Sequence, residues 1–169
     1  LERNGHEAKK IELIVKGGTW SAYPWDYREW FIKRCFDAAN DIGTEQKTDA
    51  PSLKIAQDTN ETAEYRMIGI TIETRPDWIN PREIVRLREL GVTRVELGVQ
   101  ALDDEILHLT KRGHDVAATV RATYLLKQVG FKTDYHFLPG QPGSSVEKDI
   151  AMFRQLFEDP RFCPDMVKI

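Results

Sequence analysis

Apolar runs of strand length alternate with amphipathic stretches from one end of the chain to the other. The first run, IELIVK from Ile11 to Lys16, is short and β-branched, and Gly17-Gly18 ends it. Asp26 to Asp41 carries Trp30, Phe31, Arg34 and Ala38 at helical spacing, with Asp26 as the expected N-cap and Gly43 beyond the end. The polar stretch from Thr44 to Asn60, broken by Pro51, reads as a loop followed by a short helix. A second strand, Met67 to Glu73, runs into TRPDW, where Pro76 forbids a continued ladder. The next helix spans Pro81 to Leu90, between an Asn80 cap and Gly91. A third strand, Thr93 to Val99, precedes helical stretches at Asp103 to Thr110 and Val116 to Val129, the latter stopped by Gly130. The fourth strand, Lys132 to Leu138, enters the loop Pro139-Gly140-Gln141-Pro142-Gly143. A helix from Val146 to Phe157 and an apolar MVKI end, read as a fifth strand, complete the pattern.

This order, β-α-β-α-β-α-β-α-β, predicts an α/β fold with a parallel sheet and right-handed crossovers. Both an open doubly wound sheet and part of a (β/α) barrel satisfy it. A complete eight-stranded barrel takes ~250 residues. Five strands in 169 residues therefore leave an open sheet edge in either case.

Composition narrows the class. With 41% hydrophobic and 30% charged residues, the chain reads as one soluble globular domain or part of a larger one. Its apolar runs are far short of the roughly 20 residues that a membrane helix needs. The N-terminal LERNGHEAKK is charged, lacks the apolar core of a secretory signal, and has no initiator methionine, so the chain is expected to be cut from a longer protein. Two cysteines, Cys35 and Cys163, cannot build a disulfide framework and fit a reducing, cytoplasmic compartment. A net charge of −3 argues against wholesale coating of a polyanion, and charge alone does not mark an RNA binder. The basic pairs Lys9-Lys10, Lys33-Arg34 and Lys111-Arg112 read first as solvated surface.

Ligands of parallel sheets bind at the carboxyl ends of the strands, which directs attention to the residues just past each one. Gly17-Gly18-Thr19 follows the first strand; as a motif it fits a plain tight turn as well as a ligand approach. Glu73 and Arg75 end the second strand on one face, and Glu96 and Gln100 form E-x-G-x-Q at the third. For each residue alone, a salt bridge in a barrel mouth and a ligand contact stand level. Acidic, basic and amide groups on successive strand ends together favour a polar ligand site. His136 reads as a hydrogen-bonded core residue, and Lys111-Arg112-Gly113-His114 as a helix stop. The cluster Trp20, Tyr23, Trp25, Tyr27 and Trp30 reads as core and cap packing. There is no G-x-S-x-G, phosphate loop, H-E-x-x-H or zinc-spaced cysteine pair.

Taken together, KGGTW, IGITIETRPDW, TRVELGVQ, KRGH and the Pro-Gly loop resemble, in order and over nearly the whole chain, the radical S-adenosylmethionine domain of the Elongator catalytic subunit. The resemblance implies that residues 1–169 are the central part of one such domain, a partial (β/α) barrel truncated at both ends. It implies a transferase that converts the wobble uridine of tRNA to a 5-carboxymethyl derivative, using acetyl-CoA and S-adenosylmethionine. The family's [4Fe-4S] cluster sits on three cysteines ahead of this region, its acetyltransferase domain lies elsewhere, and Elongator-type subunits are its partners.

Gly17, Gly18 and Thr19 match the pair that approaches the methionine amino group, with Thr19 where most of the superfamily has glutamate. Glu73, Arg75, Glu96 and Gln100 match positions facing the ribose, amino and carboxylate groups, and Lys10 matches a lysine expected at acetyl-CoA. Arg112, Gly113 and His114 match a family turn without an assigned role, and no catalytic residue or metal ligand is assigned. Neither cysteine has C-x-x-C spacing, so this chain by itself is expected to hold no cluster and to be inactive. Two other readings are a different radical enzyme, such as one acting on porphyrins, and a non-catalytic module binding tRNA or acetyl-CoA.

Overall fold

The strands pair in the order in which the chain makes them. The computed structural model describes residues 4–5, 9–45 and 47–169, so the N-terminal stretch read against a secretory signal lies largely outside the described residues. The strands are β1 (Lys10–Val15), β2 (Arg66–Thr74), β3 (Arg94–Gln100), β4 (Lys132–Phe137) and β5 (Met166–Lys168). They form one sheet of order β1-β2-β3-β4-β5, and every neighbouring pair is parallel. The helices are α1 (Trp25–Asn40), α2 (Leu53–Asn60), α3 (Pro81–Glu89), α4 (Asp104–Leu109), α5 (Val116–Gln128) and α6 (Val146–Glu158).

This order decides between the two predicted architectures. A doubly wound sheet reverses its winding at a switch point and covers both faces with helices. Here the winding never reverses, so right-handed crossovers put the helices on one face and the sheet curls as part of a barrel. Ile70, Ile72, Val95, Leu97, Val99, Tyr135 and Phe137 point outward from the sheet into the hydrophobic core, which Ile32, Phe36, Leu87, Leu126 and Leu156 complete from the helices. The opposite, concave face carries Lys16, Glu73, Glu96, His136 and Lys168 in the other phase of the alternation.

Most helix starts follow the sequence. The side chains of Ser52, Asn80, Asp103, Asp115 and Ser145 each accept a backbone N–H of the helix they precede. Helix α1 differs: it starts at Trp25 with Pro24 in the cap position, and Asp26 sits in the first turn. Asp26 there opposes the positive end of the helix dipole instead of closing a cap.

The buried stripe of α1 also differs from the expected one. It runs Arg28, Ile32, Phe36 and Ala39, while Trp30 is 55% exposed. Tyr23 and Tyr27 are exposed as well, and their rings continue a ladder from Trp20 to Trp30 across the surface, correcting the expectation of core packing. Arg28 can enter the core because Glu83 on α3 meets it, at 2.5 Å (Nη1–Oε1) and 3.3 Å (Nη2–Oε2). The Trp25 ring lies against the same guanidinium, 5.5 Å from its centroid. This pair pins α1 to α3 in a place where apolar periodicity shows nothing. Breaking a buried pair strands the other charge, so Glu83→Ala is expected to cost about 3–5 kcal/mol in urea denaturation. A loss below about 1 kcal/mol would show that the pair does not hold these helices together.

Candidate functional site

Glu96 sits in the middle of the sheet with its side chain 1% exposed. A buried carboxylate is costly unless it is paired, and this one is paired on three sides. Lys16, just past β1, donates to Oε2, and Lys168 on β5 donates to Oε1. His136 Nε2 on β4 lies 3.0 Å from Oε2, and Glu73 Oε1 on β2 lies 3.5 Å from the other ring nitrogen. All five strands therefore contribute to one polar floor on the concave face. Burial alone would raise the Glu96 carboxyl, but bonds from Lys16, Lys168 and His136 outweigh it and hold the group down at about 2. Burial likewise pulls on the Lys16 ammonium, and its bonds to Glu96 keep it above the ordinary lysine value. One step toward the amino ends, Asp134 is fully buried, and neither carboxylate oxygen has a hydrogen-bond partner among the described residues. Arg94 stands 3.8 Å away, and burial pushes the Asp134 carboxyl up.

Above this floor lies the rim. Gly17 and Gly18 have φ of 114° and 121°, and a Cβ on either would meet nothing within 4 Å. The pair is thus glycine for its backbone conformation, and the space where side chains would stand is open. A cleft of about 150 Å³ adjoins it, lined by Lys16, Trp20, Tyr23, Tyr27 and Phe31 among others. At the end of β3, Gln100 is held at φ 71°, a left-handed conformation unusual for a side-chain-bearing residue. Its carbonyl accepts from Leu138 N–H at 2.9 Å and from the Gln141 side chain at 3.1 Å.

The turn after α4 folds back over these strand ends. Arg112 lies so close that a Cβ at Gly98 would stand 3.3 Å from its Nη2 and 3.2 Å from Gln100 Nε2. Arg112 Nε is buried without a partner, and Arg112 forms no ion pair among the described residues. Burial lowers its guanidinium, the neighbouring Arg75 lowers it further, and Glu73 partly offsets them. Arg75 does not pair with Glu73 as the shared strand phase allows; Asp77 takes it in a fork at 2.9 and 2.5 Å. His114 Nε2 contacts the Val99 carbonyl at 3.3 Å, and burial keeps the ring below its usual value.

The structure thus gathers Gly17, Gly18, Thr19, Glu73, Arg75, Glu96 and Gln100 at the carboxyl end of one sheet. Lys10 stands apart at the amino end of β1, roughly 20 Å along the strand from Lys16. It lines a separate hollow of about 1060 Å³ with Trp25, Gln57 and Arg66. Sequence reasoning missed Lys16 and Lys168 and left Arg112 without a role. The signal for Lys16 was its strand phase, shared with the exposed Glu12 and Ile14.

Comparison with known proteins identifies this arrangement. The family model for the radical SAM superfamily matches residues 6–156. The chain belongs to that superfamily. Family membership implies S-adenosylmethionine and a [4Fe-4S] cluster as cofactors. Over all of its residues this radical SAM chain is 53% identical to the tRNA uridine(34) acetyltransferase of Methanocaldococcus jannaschii and 37% identical to Elongator complex protein 3 of Homo sapiens. It spans 30% of the length of each. A solved archaeal Elp3 from Methanocaldococcus infernus, lacking its N-terminus, matches 99% of the chain with a TM-score of 0.93 at 52% identity, over 38% of that chain. The coproporphyrinogen III oxidase of Escherichia coli shares the fold alone, at 15% identity and a TM-score of 0.60 over 95% of this chain and 44% of that one. No helix among the described residues of this radical SAM chain is long and apolar enough to cross a membrane.

The two buried carboxyls on the concave face respond oppositely to acid. Glu96 is depressed on folding, so its contribution is present above about pH 4.5 and lost as pH falls toward 2. At 1.36 kcal/mol per unit that contribution is up to about 3 kcal/mol. Glu96→Gln is expected to flatten the fall in urea-unfolding stability between pH 5 and 2; an unchanged slope would place the acid sensitivity elsewhere. Asp134 is raised on folding, so its charge opposes folding at neutral pH and has no effect once both states are protonated. Asp134→Asn should therefore stabilise at pH 7 and not at pH 3; destabilisation at pH 7 would mean that the carboxylate is usefully paired.

Proposed function

We propose that these residues are the central part of the radical S-adenosylmethionine domain of an enzyme that builds a 5-carboxymethyl group on the wobble uridine of tRNA from acetyl-CoA. The reading rests on one observation above all: an open glycine pair, two adjacent guanidiniums and a strained glutamine converge at one sheet end. The names of the relatives, a tRNA uridine(34) acetyltransferase and Elongator complex protein 3, supply the substrate.

The residues fit S-adenosylmethionine group by group. Its carboxylate suits Arg112, whose fork has donors to spare and no carboxylate of its own. Its ammonium suits Glu73, whose one ion pair among the described residues is to His136, and the backbone beside Gly17 and Gly18. Gln100 and Thr19 reach the ribose and amino groups, Thr19 through backbone and hydroxyl where a glutamate is usual. Glu96 acts at one remove, because its oxygens are already engaged by Lys16, Lys168 and His136. When bound and reduced by one electron, the cofactor supplies a 5′-deoxyadenosyl radical; the protein's part is placement and exclusion of water.

The residues do not fit an iron–sulfur cluster. Cys35 is half-buried on α1 with its thiol pushed up by burial, and Cys163 lies in the turn before β5. Two cysteines on separate elements cannot replace three, so the cluster ligands belong outside these residues. In this reading Lys10 meets coenzyme A away from the mouth, Elongator-type subunits are partners, and the two free thiols sit in a reducing cytoplasm.

The complete chain, kept anaerobic with a reductant, S-adenosylmethionine, acetyl-CoA and tRNA, is expected to release 5′-deoxyadenosine and to mark uridine 34. Absence of both products would sink the reading. Arg112→Met should weaken S-adenosylmethionine binding about tenfold to a hundredfold, the worth of one charge-assisted fork. Unchanged affinity in equilibrium binding would remove Arg112 from the site.

A further inference from the structure

We propose that Lys16 and Lys168 form a paired donor site for one carbonyl oxygen of the substrates that meet the radical. The inference rests on the reading above and adds a binding site to it.

The two ammonium groups come from opposite ends of the sheet order and meet at one carboxylate. Each side chain keeps an open side: Lys16 is 47% exposed and Lys168 39% exposed. An ammonium has three donors, and the bonds to Glu96 leave spare N–H groups on both lysines. The partner beneath them is fixed: Glu96 is 1% exposed and held by His136 as well. These are lysines clamped at the base, with no other hydrogen-bond partner for their remaining donors among the described residues.

Charge selects what those donors take. Lys16 and Lys168 balance Glu96 and Glu73, so the cluster is neutral when the imidazole is neutral. A metal ion fits poorly. Glu73, Glu96 and His136 do bring ligand atoms within 4.8 Å of one another, but both Glu96 oxygens carry an ammonium and a cation would meet two like charges. An anion gains more at Arg112, which forms no ion pair among the described residues. A neutral acceptor needs no change in charge and uses the spare donors directly. A carbonyl oxygen is that acceptor. Donors fixed at a carbonyl also polarise it and orient the carbon beside it, which suits a reaction at the carbon next to a thioester or at a ring carbon next to an amide.

Both substrates carry such an oxygen: the thioester of acetyl-CoA, and O4 of uracil. Equilibrium binding to the complete chain separates them. One arm compares acetyl-CoA with S-ethyl-CoA, which has a methylene in place of the carbonyl. The other compares an anticodon stem-loop carrying uridine at position 34 with one carrying the 4-deoxy base. In the wild type, one pair should show about a tenfold preference for the carbonyl ligand, the size of a single hydrogen bond to a charged donor. Lys168→Met should erase the preference in that same pair, and the pair affected names the oxygen. If Glu96, left short of a partner, unfolds that variant, Lys168→Met/Glu96→Gln removes the charge pair together and should give the same loss. No preference in either wild-type pair, or a preference that survives both variants, overturns the proposal. Neither result depends on formation of 5′-deoxyadenosine and marked uridine 34, so failure of the broader reading is scored separately.

Discussion

The structure depends on how one carboxylate is kept ionised inside a sheet. Glu96 is on the central strand, where no solvent reaches it, and charge there is tolerable only if the neighbouring strands bring donors. They do so from both sides. Lys16 and Lys168 each reach past an intervening strand, a span of roughly 10 Å on a flat sheet. A concave face shortens that span. The apolar residues of the outer face supply most of the burial, while the ion cluster belongs to one curvature and one register. A one-residue slip of any strand would send its contributor to the helical face, into the hydrocarbon of Ile72, Val95 or Tyr135.

That curvature also explains why the candidate residues gather at one rim. Strands wound in one direction bring all their carboxyl ends to one mouth, so a turn from the helical layer can fold across several of them at once. The turn at Arg112 does this over Gly98, where there is no side chain to keep the guanidinium away. Arg112 then feels the charge of Arg75, whose own fork is committed to Asp77, and Glu73 only partly offsets it. Like charges at close range oppose folding. The arrangement makes sense where an anionic group completes it.

Much of this was legible in the chain, and the limits are physical. Period-two runs and capping residues located the strands and most helices, because backbone hydrogen bonding and alternation are local. The winding order was not local, and the doubly wound alternative fell only when the sheet order was seen. Strand ends marked Glu73, Glu96 and Gln100, since a polar group after an apolar run is visible in one dimension. Lys16 and Lys168 were not visible, because a lysine at a strand end looks like ordinary solvated surface until its partner two strands away is known. Arg28 was hidden for a similar reason: a charge in an apolar stripe reads as its edge, unless Glu83 55 residues later is known to face it. His136 read as a hydrogen-bonded core residue; it is hydrogen-bonded, but on the concave side, between two carboxylates.

The distinction between ligand contacts and frame follows from counting what each polar group has left. Glu96 has its oxygens engaged by three donors and sits beneath the surface, so it shapes the site through the groups it holds. Arg75 gives its fork to Asp77 and keeps less for anything else. Arg112 and the spare donors of Lys16 and Lys168 remain unspent among the described residues. These unspent groups are all donors, apart from Glu73 at their centre. A pocket so composed favours ligands rich in acceptors that also bring positive charge, as the carboxylate, hydroxyls, ammonium and sulfonium of S-adenosylmethionine do. Residues that a motif groups together therefore divide by chemistry: some keep donors to offer, and others are spent on holding those donors in place.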